Sequence, residues 1–471
     1  MYRRDFMLRV AGASLAAPAA LGTAAEATGQ GARRNPNIIF ILADDLGWGD
    51  LGCYGQKRIR TPNLDRMAAE GIRFTDAYAG STVCAPSRCA LMTGLHMGHA
   101  LIRGNARVPL RPKDTTVATV LKRAGYATGI IGKWGLGEPG STGIPTKQGF
   151  DYWFGYLNQH HAHNYWPTHL WRNEEKVALK NVVPKEDAAG GGVASERIEY
   201  SHNLFAEEAL AFVEKHRDKP FFLYLALTIP HANNEAGKEG MEVPSDEPYT
   251  NEDWPQAQKN MAAMVTLMDR DVGRLLDHLK KLGIDGDTIV FFTSDNGPHR
   301  EGGNNPDFFD SNGPLRGIKR DLYEGGIRVP MIVRWPGQIK PGTVSDFPWA
   351  FWDFLPTACD IAGAEPPKGL DGISVLPVLR GEKLLLERYL YWEFHERGFT
   401  QAVRLNNWKA VRKGATQPIE LYDLAADIGE TSNVADKHPD VVAKIEAFMA
   451  QARTESEHWP ALERRPEKKK Q

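Results

Sequence analysis

Four apolar runs, each long enough for a strand and each ending in polar or charged residues, constrain this chain more than any other feature. The first is Asn37–Ala43, followed by Asp44-Asp45. The second spans 126–131 and leads into Gly132-Lys133; the third spans 220–227 and leads into Thr228-Ile229-Pro230-His231. The fourth spans 288–293 and leads into Ser294-Asp295-Asn296-Gly297. Runs without alternation are buried on both faces, as in a parallel sheet. Helical patterns precede three of them, at 115–123, 204–215 and 260–282. Strands alternating with helices predict an α/β fold with a large, mixed but mostly parallel sheet flanked by helices. In open sheets of this kind ligands bind at the carboxyl ends of the strands. The pattern therefore brings Asp44, Asp45, Lys133, His231, Asp295 and Asn296 toward one site.

A second region begins near 386. Short strand patterns at 389–394, 401–405, 408–412 and 420–424, with Asn406-Asn407 as a turn, predict an antiparallel sheet, and 439–453 reads as a closing amphipathic helix. With 471 residues, two or three domains are expected. The layout is then an export signal over 1–25, a linker over 26–35, a catalytic domain over 36–385, a C-terminal subdomain over 386–460 and a disordered charged tail over 461–471.

Arg3-Arg4-Asp5-Phe6-Met7, an apolar stretch over 10–21 and small residues at 22–25 resemble a twin-arginine export signal. That resemblance implies the twin-arginine export machinery as a partner and a periplasmic or secreted bacterial location. No later segment has 18 apolar residues in a row, so no membrane span is expected. The formal net charge of −2 gives no electrostatic case for nucleic acid. Four cysteines, at 53, 84, 89 and 359, are too few for a disulfide scaffold, although a Cys53–Cys359 pair stays open.

Cys84-Ala85-Pro86-Ser87-Arg88 precedes Leu91-Met92-Thr93-Gly94. Pro86 near a helix start and Gly94 near its end predict a helix that holds residue 84 at the positive end of its dipole. Asp44, Asp45, Asp295 and Asn296 offer only oxygen ligands, which points to calcium or magnesium. The Asp-Asp pair after the first strand, the C-x-P-S-R run and the later S-D-N-G, in this order, resemble type I sulfatases of the alkaline phosphatase superfamily. The resemblance spans roughly residues 36 to 450. It implies an alkaline-phosphatase-like sheet, a formylglycine made from Cys84 by a dedicated maturation enzyme, and calcium ahead of magnesium, with residue 84 among the metal's contacts. It further implies that the formylglycine hydrate attacks sulfur and that Arg88 reaches the hydrate. Lys133 and Lys319 would hold sulfate oxygens, and His231 would protonate the leaving alcohol.

One departure stands out. In Lys133-Trp134-Gly135, glycine occupies the position where the family commonly has histidine. The nearby segment Asn158-Gln159-His160-His161-Ala162-His163 offers replacements, and His161 or His163 is expected to enter the pocket or contact the sugar. Aromatic and polar residues over 152–171 and 392–395 fit a sulfated carbohydrate of the galactose or N-acetylgalactosamine type. Two further readings are a phosphate or phosphonate monoester hydrolase of the same superfamily, and an inactive sulfated-glycan-binding protein.

Overall fold

The computed structural model describes residues 35–461. The expected export signal, the linker up to residue 34 and the tail beyond 461 lie outside the described residues. In chain order the strands are β1 (Asn37–Ala43), β2 (Ile72–Phe74), β3 (Ala77–Tyr78), β4 (Ala127–Lys133), β5 (Tyr152–Tyr156), β6 (His169–Arg172), β7 (Glu175–Ala178), β8 (Phe221–Ala226), β9 (Thr288–Ser294), β10 (Met331–Arg334), β11 (Thr343–Ser345), β12 (Trp349–Ala350), β13 (Tyr389–Phe394), β14 (Thr400–Leu405), β15 (Trp408–Lys413) and β16 (Glu420–Asp423). Ten of them form one sheet in the order β11-β2-β10-β9-β1-β8-β4-β5-β6-β7. Its centre, β9-β1-β8-β4-β5, is parallel throughout, and antiparallel strands extend it on both sides.

β1 lies between β9 and β8 in this centre, and all seven of its residues are buried. Its side chains alternate between two separate cores. Ile38, Phe40 and Leu42 pack with Phe222, Phe291, Phe354 and the helix α2 that carries Cys84. Ile39 and Ile41 pack with Leu223, Val290 and the helices on the opposite face. A sheet covered on both faces explains why the run shows no alternation of polar residues.

On one face lie α2 (Cys84–Thr93), α3 (Val117–Arg123) and the helix Phe354–Ala362; on the other lie α1 (Pro62–Ala69), α4 (Ser201–His216) and α5 (Gln256–Lys281). α5 buries Met261, Met264, Val265, Met268, Val272, Leu275 and Leu279, the spacing of one helical stripe. Each such side chain contributes roughly 1.5–3 kcal/mol on burial. None of these helices within the described residues is long and apolar enough to cross a membrane.

Several element limits differ from the sequence expectation, each for a local reason. β4 runs through Lys133 instead of ending at 131, because Gly132 lets the strand pass close to β8. A Cβ there would meet the Ala226 carbonyl oxygen at 1.9 Å. α3 begins at Val117 because the Thr116 hydroxyl caps the N–H of Thr119. α4 and α5 each begin about a turn earlier than expected. The closing helix stops at Met449, short of 453, and Arg453 turns back to pair with Glu393. All four cysteines are free, so Cys53 and Cys359 do not pair.

β13 to β16 form an antiparallel meander whose β14–β15 turn is Asn406-Asn407, with Asn406 at φ +52. Leu390, Trp392 and Phe394 face the main core, while Tyr391, Val403, Leu405 and Leu421 face the helix Pro439–Met449. Buried ion pairs fasten this sheet to the larger one. Lys409 lies 2.8 Å from Glu324 and 3.4 Å from Glu430, all three buried. Arg404 pairs with Asp76, and Arg103 with Glu393. Burial pushes the Glu393 carboxyl up, but its His395 hydrogen bond and the Arg103 and Arg453 guanidiniums outweigh this and hold it at about 2.

Removing one partner of a buried ionic cluster strands the other. Lys409→Met leaves Glu324 and Glu430 facing each other, and denaturant unfolding should show a loss of about 3–5 kcal/mol. Glu393, with its folded pKa depressed, stabilises the protein at pH values above its ordinary 4.5, and this contribution is lost as pH falls through about 2. A Tm-against-pH series should therefore decline more steeply below pH 4.5 in the wild type than in Glu393→Gln.

Candidate active site

Strand order alone aligns the polar strand ends. β1 has β8 on one side and β9 on the other, and Ala43 is in register with Ser294. The residues that follow, Asp44-Asp45 and Asp295-Asn296, are therefore neighbours. The backbone N–H of Asp45 donates to Asp295 Oδ1 at 3.2 Å, and Asn296 Nδ2 donates to Asp45 Oδ1 at 2.7 Å. Asp45 takes the left-handed region at φ +67, which a short polar side chain tolerates better than most. From the other side, Asp44 N–H donates to the Ile229 carbonyl at 3.2 Å, which brings the His231 loop alongside.

α2 points its N-terminus at this cluster. Gly94 ends the helix in the left-handed region at φ +69. At its start, Val83 provides no side-chain cap; Asn105 Oδ1, from a distant loop, instead accepts from the N–H of Ala85 at 3.1 Å and lies 3.7 Å from Cys84 Sγ. Ligating atoms of Cys84, Asp44 and Asp295 lie within 4.8 Å of one another.

One turn along α2, Arg88 is wholly buried. Its Nε and Nη2 donate to Asp295 Oδ2 at 3.1 and 2.8 Å, Nη2 lies 3.2 Å from Asp44 Oδ2, and Nη1 donates to the Lys133 carbonyl at 2.7 Å. Lys133 Nζ reaches Asp44 Oδ2 at 2.6 Å. Lys319 Nζ reaches Asp45 Oδ2 at 2.8 Å, Glu301 at 3.2 Å and His231 Nε2 at 3.2 Å. The nine residues Asp44, Asp45, Cys84, Arg88, Lys133, His231, Asp295, Asn296 and Lys319 thus share one buried centre.

The charges are strongly coupled. Burial works against ionisation of Asp45, but Lys319 and His299 overcome it and hold the carboxyl at about 2. Burial and the neighbouring Asp44 push Asp295 up to about 7. Burial opposes the charge on Lys133, yet Asp44 keeps its pKa above the ordinary lysine value. Burial, then Lys319, hold His231 well below the usual histidine value, and its Nδ1 faces the Ala232 carbonyl at 2.6 Å. Burial raises the Cys84 thiol.

This donor set fits a hard divalent cation. Asp44 Oδ1 and Asn296 Oδ1 are buried without any hydrogen-bond partner, and ligating atoms of Asp44 lie within 4.8 Å of those of Asp45 and His231 and, in a second group, of Cys84 and Asp295. Orphaned buried oxygens are costly unless a ligand meets them, and oxygen-only ligation suits calcium or magnesium.

The two candidate histidines part company. His163 enters the site region: its ring stacks on His231 at 5.0 Å and its Nδ1 lies 3.2 Å from Glu235. His161 instead packs edge-on to Tyr156 at 4.9 Å and against His169 at 4.6 Å. Burial and His169 push it down to about 3, leaving it neutral. Trp153 and Phe154 are core residues, and Trp392 is buried against Tyr78 and Trp352. Asn105 and Glu301 join the centre without a motif to mark them in the sequence. Each is a single polar residue in a loop, brought to the centre by tertiary contacts that no local pattern encodes.

A cation binding here stabilises the folded state by mass action, about 2.7 kcal/mol at a hundred times its Kd. Adding Ca2+ to chelator-treated protein should raise Tm, and Asp44→Asn combined with Asp295→Asn should abolish that rise.

Comparison with known proteins agrees with this arrangement. The Sulfatase family model matches residues 36–364, and a second model, N-sulphoglucosamine sulphohydrolase, C-terminal, matches 318–455. The N-acetylgalactosamine-6-O-sulfatase of Bacteroides thetaiotaomicron is 31% identical, over 89% of this chain and 94% of the relative. The N-acetylgalactosamine-6-sulfatase of Sus scrofa is 35% identical, over 86% of this chain and 77% of the relative. The crystal structure of Ps i-CgsB in complex with k-i-k-neocarrahexaose is 30% identical with a TM-score of 0.77, over 91% of this chain and 96% of that chain. With the family model spanning most of its length and its strand ends meeting at Cys84, the chain belongs to the sulfatase family.

Proposed function

We propose that this sulfatase hydrolyses a sulfate monoester on a carbohydrate of the galactose or N-acetylgalactosamine type, using a formylglycine made from Cys84 and a divalent cation, calcium ahead of magnesium. The observation that carries the reading is the meeting of four strand ends with the N-terminus of α2, where buried oxygens of Asp44 and Asn296 have no partner. The carbohydrate class is supported by relatives named as N-acetylgalactosamine-6-sulfatases and by a similar structure that holds k-i-k-neocarrahexaose.

Asp44, Asp45, Asp295 and Asn296 would hold the cation, which supplies positive charge toward a sulfuryl oxygen and toward the nucleophilic hydroxyl. The hydrate at residue 84 supplies that hydroxyl, at a helix N-terminus whose dipole favours negative charge. Arg88 holds the carboxylates in place and adds a fixed charge that no neighbour can deprotonate. Lys133 and Lys319 neutralise the sulfuryl oxygens as charge moves onto the leaving group. His231 would take a proton at Nε2 from the Lys319 ammonium, 3.2 Å away, and pass it to the leaving oxygen. His163, stacked on His231, would contact the sugar, whereas His161 packs against Tyr156 and His169.

The same reading includes maturation by a formylglycine-generating enzyme, export through the twin-arginine machinery and work in the periplasm or outside the cell. It also includes a domain boundary near residue 386.

Mass spectrometry of the peptide containing residue 84, from protein made in its native host, should find the aldehyde; thiol alone would overturn the reading. Sulfate release should be faster from 6-sulfated N-acetylgalactosamine or galactose than from an aryl sulfate. Cleavage of an aryl phosphate should be slower than that of the aryl sulfate by more than about tenfold, about 1.4 kcal/mol in barrier. Cys84→Ala should abolish turnover.

A further inference from the structure

Glycine at 135 leaves a space that the neighbouring strand fills. Gly135 follows Lys133 by two residues, takes the left-handed region at φ +81, and donates its N–H to the Leu157 carbonyl at 3.0 Å. A Cβ at this position would lie 2.0 Å from Gln159 Nε2 and 2.9 Å from Gln159 Cδ. The Gln159 carboxamide therefore rests directly on the Gly135 backbone. Any side chain at 135 would have to displace it, so the glycine is required twice, for its φ and for its room.

The amide held there is uncommitted. Neither Gln159 Oε1 nor Nε2 is open to solvent, and neither has a hydrogen-bond partner in the protein. A carboxamide carries two donor hydrogens and an acceptor oxygen, and burying all of them unpaired is costly. Its chain neighbours are engaged. Asn158 Oδ1 accepts from the N–H of His161, and His160 faces Asp187 and Glu235.

Its place in the fold puts it beside the catalytic centre. Lys133 is in register with Tyr156, three residues before Gln159. On the other side, His160 contacts His163 at 5.3 Å, and His163 stacks on His231 at 5.0 Å. Gln159 is thus bracketed by the Lys133 strand end and the His163–His231 stack.

We propose that Gln159 is a substrate-contacting residue that serves where the family's histidine is replaced by Gly135. Its Nε2 donates to an oxygen of the sulfate group, and its Oε1 accepts from a hydroxyl of the nucleophile or the sugar. The proposal rests on the reading of the Cys84 centre as the sulfatase site. A carboxamide neither gains nor loses a proton in the working pH range, so this position contributes binding and orientation, and proton transfer falls to other groups.

The test compares Gln159→Met and Gln159→Leu with wild type and Cys84→Ala, on 6-sulfated N-acetylgalactosamine and on an aryl sulfate, with Tm measured for each. Both Gln159 variants keep an apolar side chain against Gly135 and remove the amide. The expected result is a fall in kcat/KM of about 10- to 100-fold, the size of one lost hydrogen bond to a charged group, with Tm unchanged or higher. Gly135→His alone should be nearly inactive because it meets Gln159, and adding Gln159→Ala should restore at least about tenfold of the loss. Wild-type kcat/KM in both Gln159 variants while Cys84→Ala is dead would overturn the role of Gln159 alone. So would a loss of activity matched by a fall in Tm in both. Full activity in Cys84→Ala would overturn the underlying reading of the site instead.

Discussion

The guanidinium of Arg88 is the contact on which the centre depends. It is wholly buried and spans Asp44, Asp295 and the carbonyl of Lys133. Those groups end β1, β9 and β4, so one side chain on α2 ties a helix to three strands. The planar fork of arginine suits this, since it meets several oxygens at fixed angles and stays charged when buried. Three carboxylates packed without it would repel one another and take up protons. Even with it, burial and the neighbouring Asp44 leave Asp295 near 7. A divalent cation at these carboxylates would favour their ionised forms against the cost of burial.

A second set of buried charges works at a distance from the chemistry. Lys409, Arg404 and Arg103 link the C-terminal meander to Glu324, Asp76 and to the loop that follows α2. Arg103 lies two residues before Asn105, whose oxygen caps the N-terminus of α2 beside Cys84. The small sheet therefore does more than cover a face of the core: through Glu393 and Arg103 it positions the loop that finishes the nucleophile's helix. Its burial of Trp392 and Phe394 in the main core makes that support rigid.

Much of the fold was legible because burial writes a strong local pattern. β1 matched its expected limits, and β4, β8 and β9 matched within two residues, since a strand covered on both faces must be apolar throughout. Limits slipped where a single residue decides them, as with the Thr116 cap or Gly132 passing close to Ala226. The polar centre was legible for a related reason. Charged residues directly after buried strands are rarely idle, and strand ends in a parallel sheet share one side. Asn105, Glu301 and Gln159 carried no such signal, because each arrives on an irregular loop.

From the sequence alone came the α/β alternation, the oxygen-only donor set and the C-x-P-S-R helix start, because each is a matter of residue type at short spacing. Only the tertiary structure decided who stands beside whom. It separated His163, stacked on His231, from His161, buried against Tyr156 and His169, although a single residue parts them. It also set Gln159 against Gly135, 24 positions apart in the chain. The physical reason is the same in both cases. Which side a loop residue faces depends on backbone turns and on the space its neighbours leave, and that space exists only once β4 and β5 have paired.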